Sequence, residues 1–123
     1  MATRTALLII DMQSFFEPMT SPPMLTNLTK LSTHFRSKGS LQIFTRHGHS
    51  QDELSGTTKN QLVRKWGAAG SIAYGSPDWE LMPQIQKLAD ANRDENETEI
   101  LAKNTYDSFI NTKLEEVLRE KGV

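Results

Sequence analysis

A chain of 123 residues is enough for one domain with one modest core. Charged residues make up 24% of it and nearly cancel, to a net charge of −1, so neither nucleic acid nor an anionic membrane is favoured as a partner. It contains no cysteine, which excludes disulfides, thiolate metal sites and a thiol nucleophile within these residues. The apolar runs are too short to cross a bilayer, and the N-terminus lacks the apolar region of a signal peptide. A soluble cytoplasmic protein is expected.

Ala6-Leu7-Leu8-Ile9-Ile10 is an uninterrupted apolar run, the pattern of a central parallel strand buried on both faces. It stops at Asp11. Ligands of open α/β sheets bind beyond the carboxyl ends of the strands, so a carboxylate there is a candidate reacting group. After the Pro-containing loop to Pro23, Ser21 can act as N-cap with Pro22 in the first helical turn. Leu25, Leu28, Leu31 and Phe35 then form an apolar helix face, with His34 on the solvent side, and Gly39 fits the helix end. Leu41–Thr45 reads as a second strand, parallel to the first, and runs into Arg46-His47-Gly48-His49.

Residues 50–76 have weak periodicity apart from a short helix expected around Gln61–Trp66. Such a long irregular segment is a candidate lid or pocket wall. A turn at Pro77–Leu81 precedes a helix from Pro83 that carries Ile85, Leu88 and Ala89 inward, and Asn92 to Glu97 reads as a charged loop. Thr98–Ala102 is a third strand ending in Lys103. Thr112-Lys113-Leu114-Glu115 matches a capping box, opening a helix with Leu114, Val117 and Leu118 inside and Gly122 at its end. The helix running out at Val123 leads to the expectation of a single but incomplete domain over residues 1–123.

Three parallel strands would bring Asp11, the basic groups of Arg46 to His49, and Lys103 to one rim. A carboxylate and an amine side by side can serve as a general acid/base pair, although a structural ion pair has the same ingredients. His47-x-His49 has two potential metal ligands with no third evident, so no metal and no cofactor are expected. Gly67, Gly70 and Gly75 lack the spacing of a nucleotide-binding loop. A receiver-type switch domain would need an acidic pair after the first strand, where Met12-Gln13 stand instead.

Ala6-Leu7-Leu8-Ile9-Ile10-Asp11-Met12-Gln13, Phe44-Thr45-Arg46-His47-Gly48-His49, Trp79-Glu80-Leu81-Met82-Pro83 and Ala102-Lys103-Asn104-Thr105-Tyr106-Asp107-Ser108-Phe109 occur in that order. Together they resemble the isochorismatase-like cysteine hydrolase family, over essentially the whole chain. The resemblance implies a three-layer, Rossmann-like α/β fold with strand order 3-2-1-4-5-6, here truncated after about three strands. It implies hydrolysis of a small amide such as nicotinamide or an N-carbamoyl compound, with Asp11 as general base and Lys103 as its partner. Phe16, Arg46, His47, His49, Trp66 and Tyr106 are expected to bind the substrate, Arg46 through a substrate carboxylate. Trp79, by contrast, is expected to pack.

The family's nucleophilic cysteine lies beyond the next strand and has no counterpart here. Vinyl ether hydrolysis, in which the aspartate donates a proton and no thiol is needed, is therefore a second expectation. Some nicotinamidases in the family bind zinc near the His47 position through an Asp, but His47 stands there in this chain. In the family the fourth strand covers the first, so an uncovered Ala6–Ile10 edge leads to the expectation of a homo-oligomer, or of an inactive hydrolase half that acts through protein association.

Overall fold

The structure, a computed structural model, describes residues 4–123, and the strands form close to where the apolar runs place them. β1 (Ala6–Ile10), β2 (Leu41–His47) and β3 (Thr98–Lys103) pair in parallel in the order β1-β2-β3, with Ile10 opposite Thr45 and His47 opposite Lys103. The helices are α1 (Pro22–Ser37), α2 (Gln51–Leu54), α3 (Gln61–Trp66), α4 (Pro83–Glu95) and α5 (Leu114–Glu120). They cover both faces of the sheet, giving the three-layer α/β architecture expected. None is long and apolar enough to cross a membrane among the described residues.

Alternation along the strands divides the core in two. Leu7, Ile9 and Phe44 face α1 and α4, where they meet Met82, Ile85 and Ala89. Leu41, Ile43 and Leu101 face α5 and pack on Leu114 and Val117. Each of the larger of these side chains withdrawn from water contributes about 1.5–3 kcal/mol. β1 departs from the expectation of a strand buried on both faces. It is an outer strand among the described residues, Ala6 and Leu8 are only half-buried, and Ile10 is 50% exposed.

Ser21 caps α1, its side chain accepting from the Met24 N–H. Gly39, at φ +70°, ends it in a Schellman arrangement: its N–H donates to Arg36 O at 3.0 Å and that of Ser40 to Phe35 O at 3.1 Å. Leu31, expected on the buried face, is 42% exposed, and Ser32 takes the buried position, donating to Gln42 Oε1. α4 runs through Asn92 to Glu95, not stopping before it as the charged sequence suggested. The reason is tertiary. Buried Asn92 donates to Glu97 O and Thr98 Oγ1 and accepts from Gln42 Nε2, so its amide is satisfied inside the fold. The expected capping box of α5 does not form; Thr112 Oγ1 accepts from the Leu114 N–H instead.

The segment after β2 contains one element the sequence reading missed. α2 is opened by a capping box in which Ser50 and Glu53 satisfy each other's backbone N–H groups. The signal was present as Ser50-x-x-Glu53. α3 forms over the expected residues, capped by Asn60.

Candidate active site

β1 ends where Asp11 adopts φ +55°, a left-handed conformation that aspartate tolerates better than most residues. Its N–H still donates to Thr45 O at 3.1 Å, continuing the ladder. Its carboxylate accepts from the Thr45 hydroxyl at Oδ1 (2.7 Å) and meets Lys103 Nζ at Oδ2 (2.8 Å). Lys103 closes β3 and is 2% exposed. Its ammonium also reaches Thr105 O at 2.9 Å and His47 Nδ1 at 3.1 Å. An ammonium has three protons to donate, and here each has an acceptor, so the group is pinned.

His47 lies beside Lys103 across the β2–β3 pairing. Its Nε2 is 3.0 Å from His49 Nε2, and His49 Nδ1 is 3.4 Å from Glu53 Oε2. The His47 pKa is lowered to about 4, by burial first and then by the charge of Lys103 and the neighbouring His49, with Asp11 and the Thr105 carbonyl pulling the other way. A histidine that resists protonation when folded takes up a proton when unfolded, so the unfolded chain binds more protons between pH 4 and 6.5. Thermal unfolding followed by circular dichroism should therefore show full stability above pH 6.5 and a falling midpoint as pH drops towards 4. A His47→Gln variant should flatten that slope.

Gln13, absent from the sequence-based candidates, holds this rim together. It is fully buried; its amide donates to His47 O and Trp79 O, both at 2.9 Å, and its carbonyl accepts from the His47 N–H at 2.8 Å. Gln13 closes the first of the four motifs, but no local pattern marks its buried role, because a glutamine after a strand is ordinarily a surface residue.

Asp11 and the two histidines open onto a cavity of about 520 Å³ whose apolar wall includes Phe15, Phe16, Met19, Leu62, Trp66 and Tyr106. The 50–76 segment is a pocket wall as expected, contributing Leu62, Trp66 and Ile72. It also pins His49, whose N–H donates to Ile72 O at 2.8 Å. The structure thus brings Asp11, Phe16, His47, His49, Trp66 and Tyr106 around one space, with Lys103 behind Asp11. Trp66 and Tyr106 stand at its mouth, 58% and 70% exposed, with the indole N–H 3.4 Å from the phenol oxygen.

Arg46 is not among the residues lining this cavity. β2 continues through His47, two residues beyond the expected end, so Arg46 and His47 point to opposite faces of the sheet. The Arg46 guanidinium lies 3.6 Å from the Trp79 ring centroid and 3.2 Å from Glu80 Oε2. Trp79 packs as expected, edge-on to Tyr74 at 5.8 Å. A zinc ion does not fit the histidines as they stand. No third His, Cys, Asp or Glu converges with them among the described residues, and the nearby carboxylate of Glu53 meets the far nitrogen of His49.

Fold and site together define an open parallel α/β protein with a carboxylate–ammonium pair at the carboxyl edge of its strands. The chain belongs to the isochorismatase family, whose domain model matches residues 5–123. It is 32% identical over 118 residues to nicotinamidase 3 of Arabidopsis thaliana, a match spanning 96% of this chain and 54% of that protein. Among solved structures, a cysteine hydrolase from Pseudomonas syringae superposes with a TM-score of 0.73 at 26% identity, covering 98% of this chain and 56% of the other. The N-carbamoylsarcosine amidase of Thermoplasma acidophilum superposes at 0.72 with 21% identity, covering 98% and 63%, and carries the likeness of fold alone. The chain thus spans little more than half the length of these relatives.

Proposed function

We propose that this chain carries the acid–base half of a hydrolase for a small amide, with Asp11 as general base and Lys103 as its partner. The observation that carries the reading is the Asp11–Lys103 contact of 2.8 Å beside a cavity of about 520 Å³, walled by aromatic side chains and sized for a small molecule. The relative named as a nicotinamidase supports an amide as substrate class. In the amide reaction a thiol, supplied from outside these residues, gives its proton to Asp11 and attacks the amide carbonyl. The amine leaves with that proton, and water then releases the acid from the thioester.

Phe16, Trp66 and Tyr106 would hold the substrate ring or chain, and His47 and His49 would border its polar end. Vinyl ether hydrolysis needs no thiol, and a chain without cysteine favours it to that extent. The bonds to Asp11 oppose it. Both Thr45 and Lys103 donate to carboxylate oxygens, an arrangement suited to a proton acceptor at the start of a cycle.

The test is titration of the purified chain with nicotinamide and with N-carbamoylglycine, read by Trp66 fluorescence alongside ammonia release. Saturable quenching, lost in Trp66→Phe and weakened in Asp11→Asn, is expected with no ammonia released. Ammonia release that survives iodoacetamide would make water the nucleophile and overturn the thioester reading. No binding of either compound would overturn the substrate class.

A second reading rests on β1, whose outer edge pairs with no strand among the described residues while Ile10 is half exposed. Such an edge invites association. Native mass spectrometry is expected to find a dimer or larger assembly, and a stable monomer would remove this reading.

A further inference from the structure

Between Lys103 and Glu53 lie two imidazole rings in series. Contacts of 3.1 Å (Lys103 Nζ to His47 Nδ1), 3.0 Å (His47 Nε2 to His49 Nε2) and 3.4 Å (His49 Nδ1 to Glu53 Oε2) form an unbroken line. Its ends are chemically unlike. An ammonium only donates, and an ionised carboxylate only accepts.

Glu53 is held as an anion by donors from several sides. The Ser50 N–H, the Asn60 amide, His49 and the Asn104 amide together bring its pKa below the ordinary value against the effect of burial. Asn60 Nδ2 lies 2.6 Å and Asn104 Nδ2 3.3 Å from the same Oε2 that faces His49. His49 must therefore place its proton on Nδ1, which leaves Nε2 as an acceptor. His47 must then donate from Nε2, and its bare Nδ1 accepts from Lys103. Starting from Lys103 and working outward gives the same assignment. Two neutral imidazoles between an obligate donor and an obligate acceptor admit one arrangement only.

We propose that Glu53 is a positioning residue for Lys103, acting through His49 and His47, whose tautomers it fixes so that Lys103 keeps its third acceptor. The inference rests on the assignment of Asp11 and Lys103 as the reacting pair. It gives His47 and His49 a role other than substrate contact and gives α2, which supplies Glu53, a reason to be capped tightly against the site. The lowered pKa of His47 is in keeping with it, since an added proton on Nδ1 would confront the Lys103 ammonium. The two groups that favour a proton on His47, Asp11 and the Thr105 carbonyl, are both already engaged by Lys103, at 2.8 and 2.9 Å.

The test is long-range proton–nitrogen NMR of the histidine rings of the uniformly labelled chain at pH 7, without substrate, so that the outcome does not depend on the hydrolase reading. The expected result is His47 as the Nε2–H tautomer and His49 as the Nδ1–H tautomer, unchanged by a metal chelator. His47→Gln and His49→Gln spectra assign the signals. In Glu53→Leu, with the fold checked by the amide spectrum, His49 should lose its single tautomer and His47 should follow. A His47 Nδ1–H tautomer, a doubly protonated His47 at pH 7, or a spectrum altered by the chelator would each overturn the proposal. So would a Glu53→Leu variant that is folded and retains both wild-type tautomers. Should Glu53→Leu fail to fold, the wild-type spectrum decides alone.

Discussion

Lys103→Met should lower the thermal unfolding midpoint by roughly 10 °C, which corresponds to about 3 kcal/mol for a domain of this size. The side chain is 2% exposed and its ammonium serves three acceptors, so the variant strands all of them at once. Breaking a buried pair by removing one partner costs about 3–5 kcal/mol, because the remaining charge loses its counterpart without regaining water. The lower end applies because the Asp11 side chain retains 20% of its exposure. The double variant Asp11→Asn with Lys103→Met should be more stable than the sum of its singles by about 1–3 kcal/mol, as expected of residues in direct contact. Calorimetry on the four proteins measures this. Full additivity would mean that the two groups do not interact in solution and would remove the physical basis of the proposed acid–base roles.

Gln13→Leu should be about as damaging, although it touches no reacting group. The change is near isosteric and apolar, yet it leaves the His47 N–H, the His47 carbonyl and the Trp79 carbonyl without the partner seen at 2.8–2.9 Å. Each buried unsatisfied group costs about 1–3 kcal/mol, and the added apolar burial offsets part of that, leaving a net loss of about 3 kcal/mol. Denaturant unfolding measures the loss. Hydrogen exchange at the His47 amide should quicken beyond what the global stability change accounts for, because the end of β2 is released locally.

Gln13→Glu should be distinguishable by pH. Its carboxylate would face two carbonyl oxygens in a buried site, raising its folded pKa above the unfolded value. The folded state would then bind the extra proton, and the variant should lose stability as pH rises from about 4 to 7. A pH-independent loss would show that the site admits water.

Much of this arrangement was legible in the sequence wherever the controlling interaction is local. The apolar runs Ala6–Ile10 and Leu41–Thr45 marked strands, Ser21 and Gly39 bracketed α1, and Pro83 opened α4, because caps and periodicity act over a few residues. Strand ends follow from strands, so Asp11 and Lys103 could be placed at one rim before any contact was known. The capping box at Ser50 and Glu53 was equally local and was overlooked in a segment read as irregular.

What tertiary structure decided lies in contacts between residues distant in the chain. Gln13 reaches His47 across 34 positions, and Asn104 reaches Glu53 across 51. No local pattern announces such pairs. The same holds for Arg46, which period-2 alternation turns away from the cavity once pairing with β3 extends β2 through His47. The two added residues are polar and gave no apolar signal of their own. The sequence by itself determined the order of the strands and longer helices, the parallel sheet and the placing of Asp11 and Lys103 at its carboxyl edge, because these rest on hydrophobic periodicity and local caps. The tertiary structure alone decided the direction of the Lys103–His47–His49–Glu53 line and the buried role of Gln13. Both depend on which donors and acceptors burial forces together.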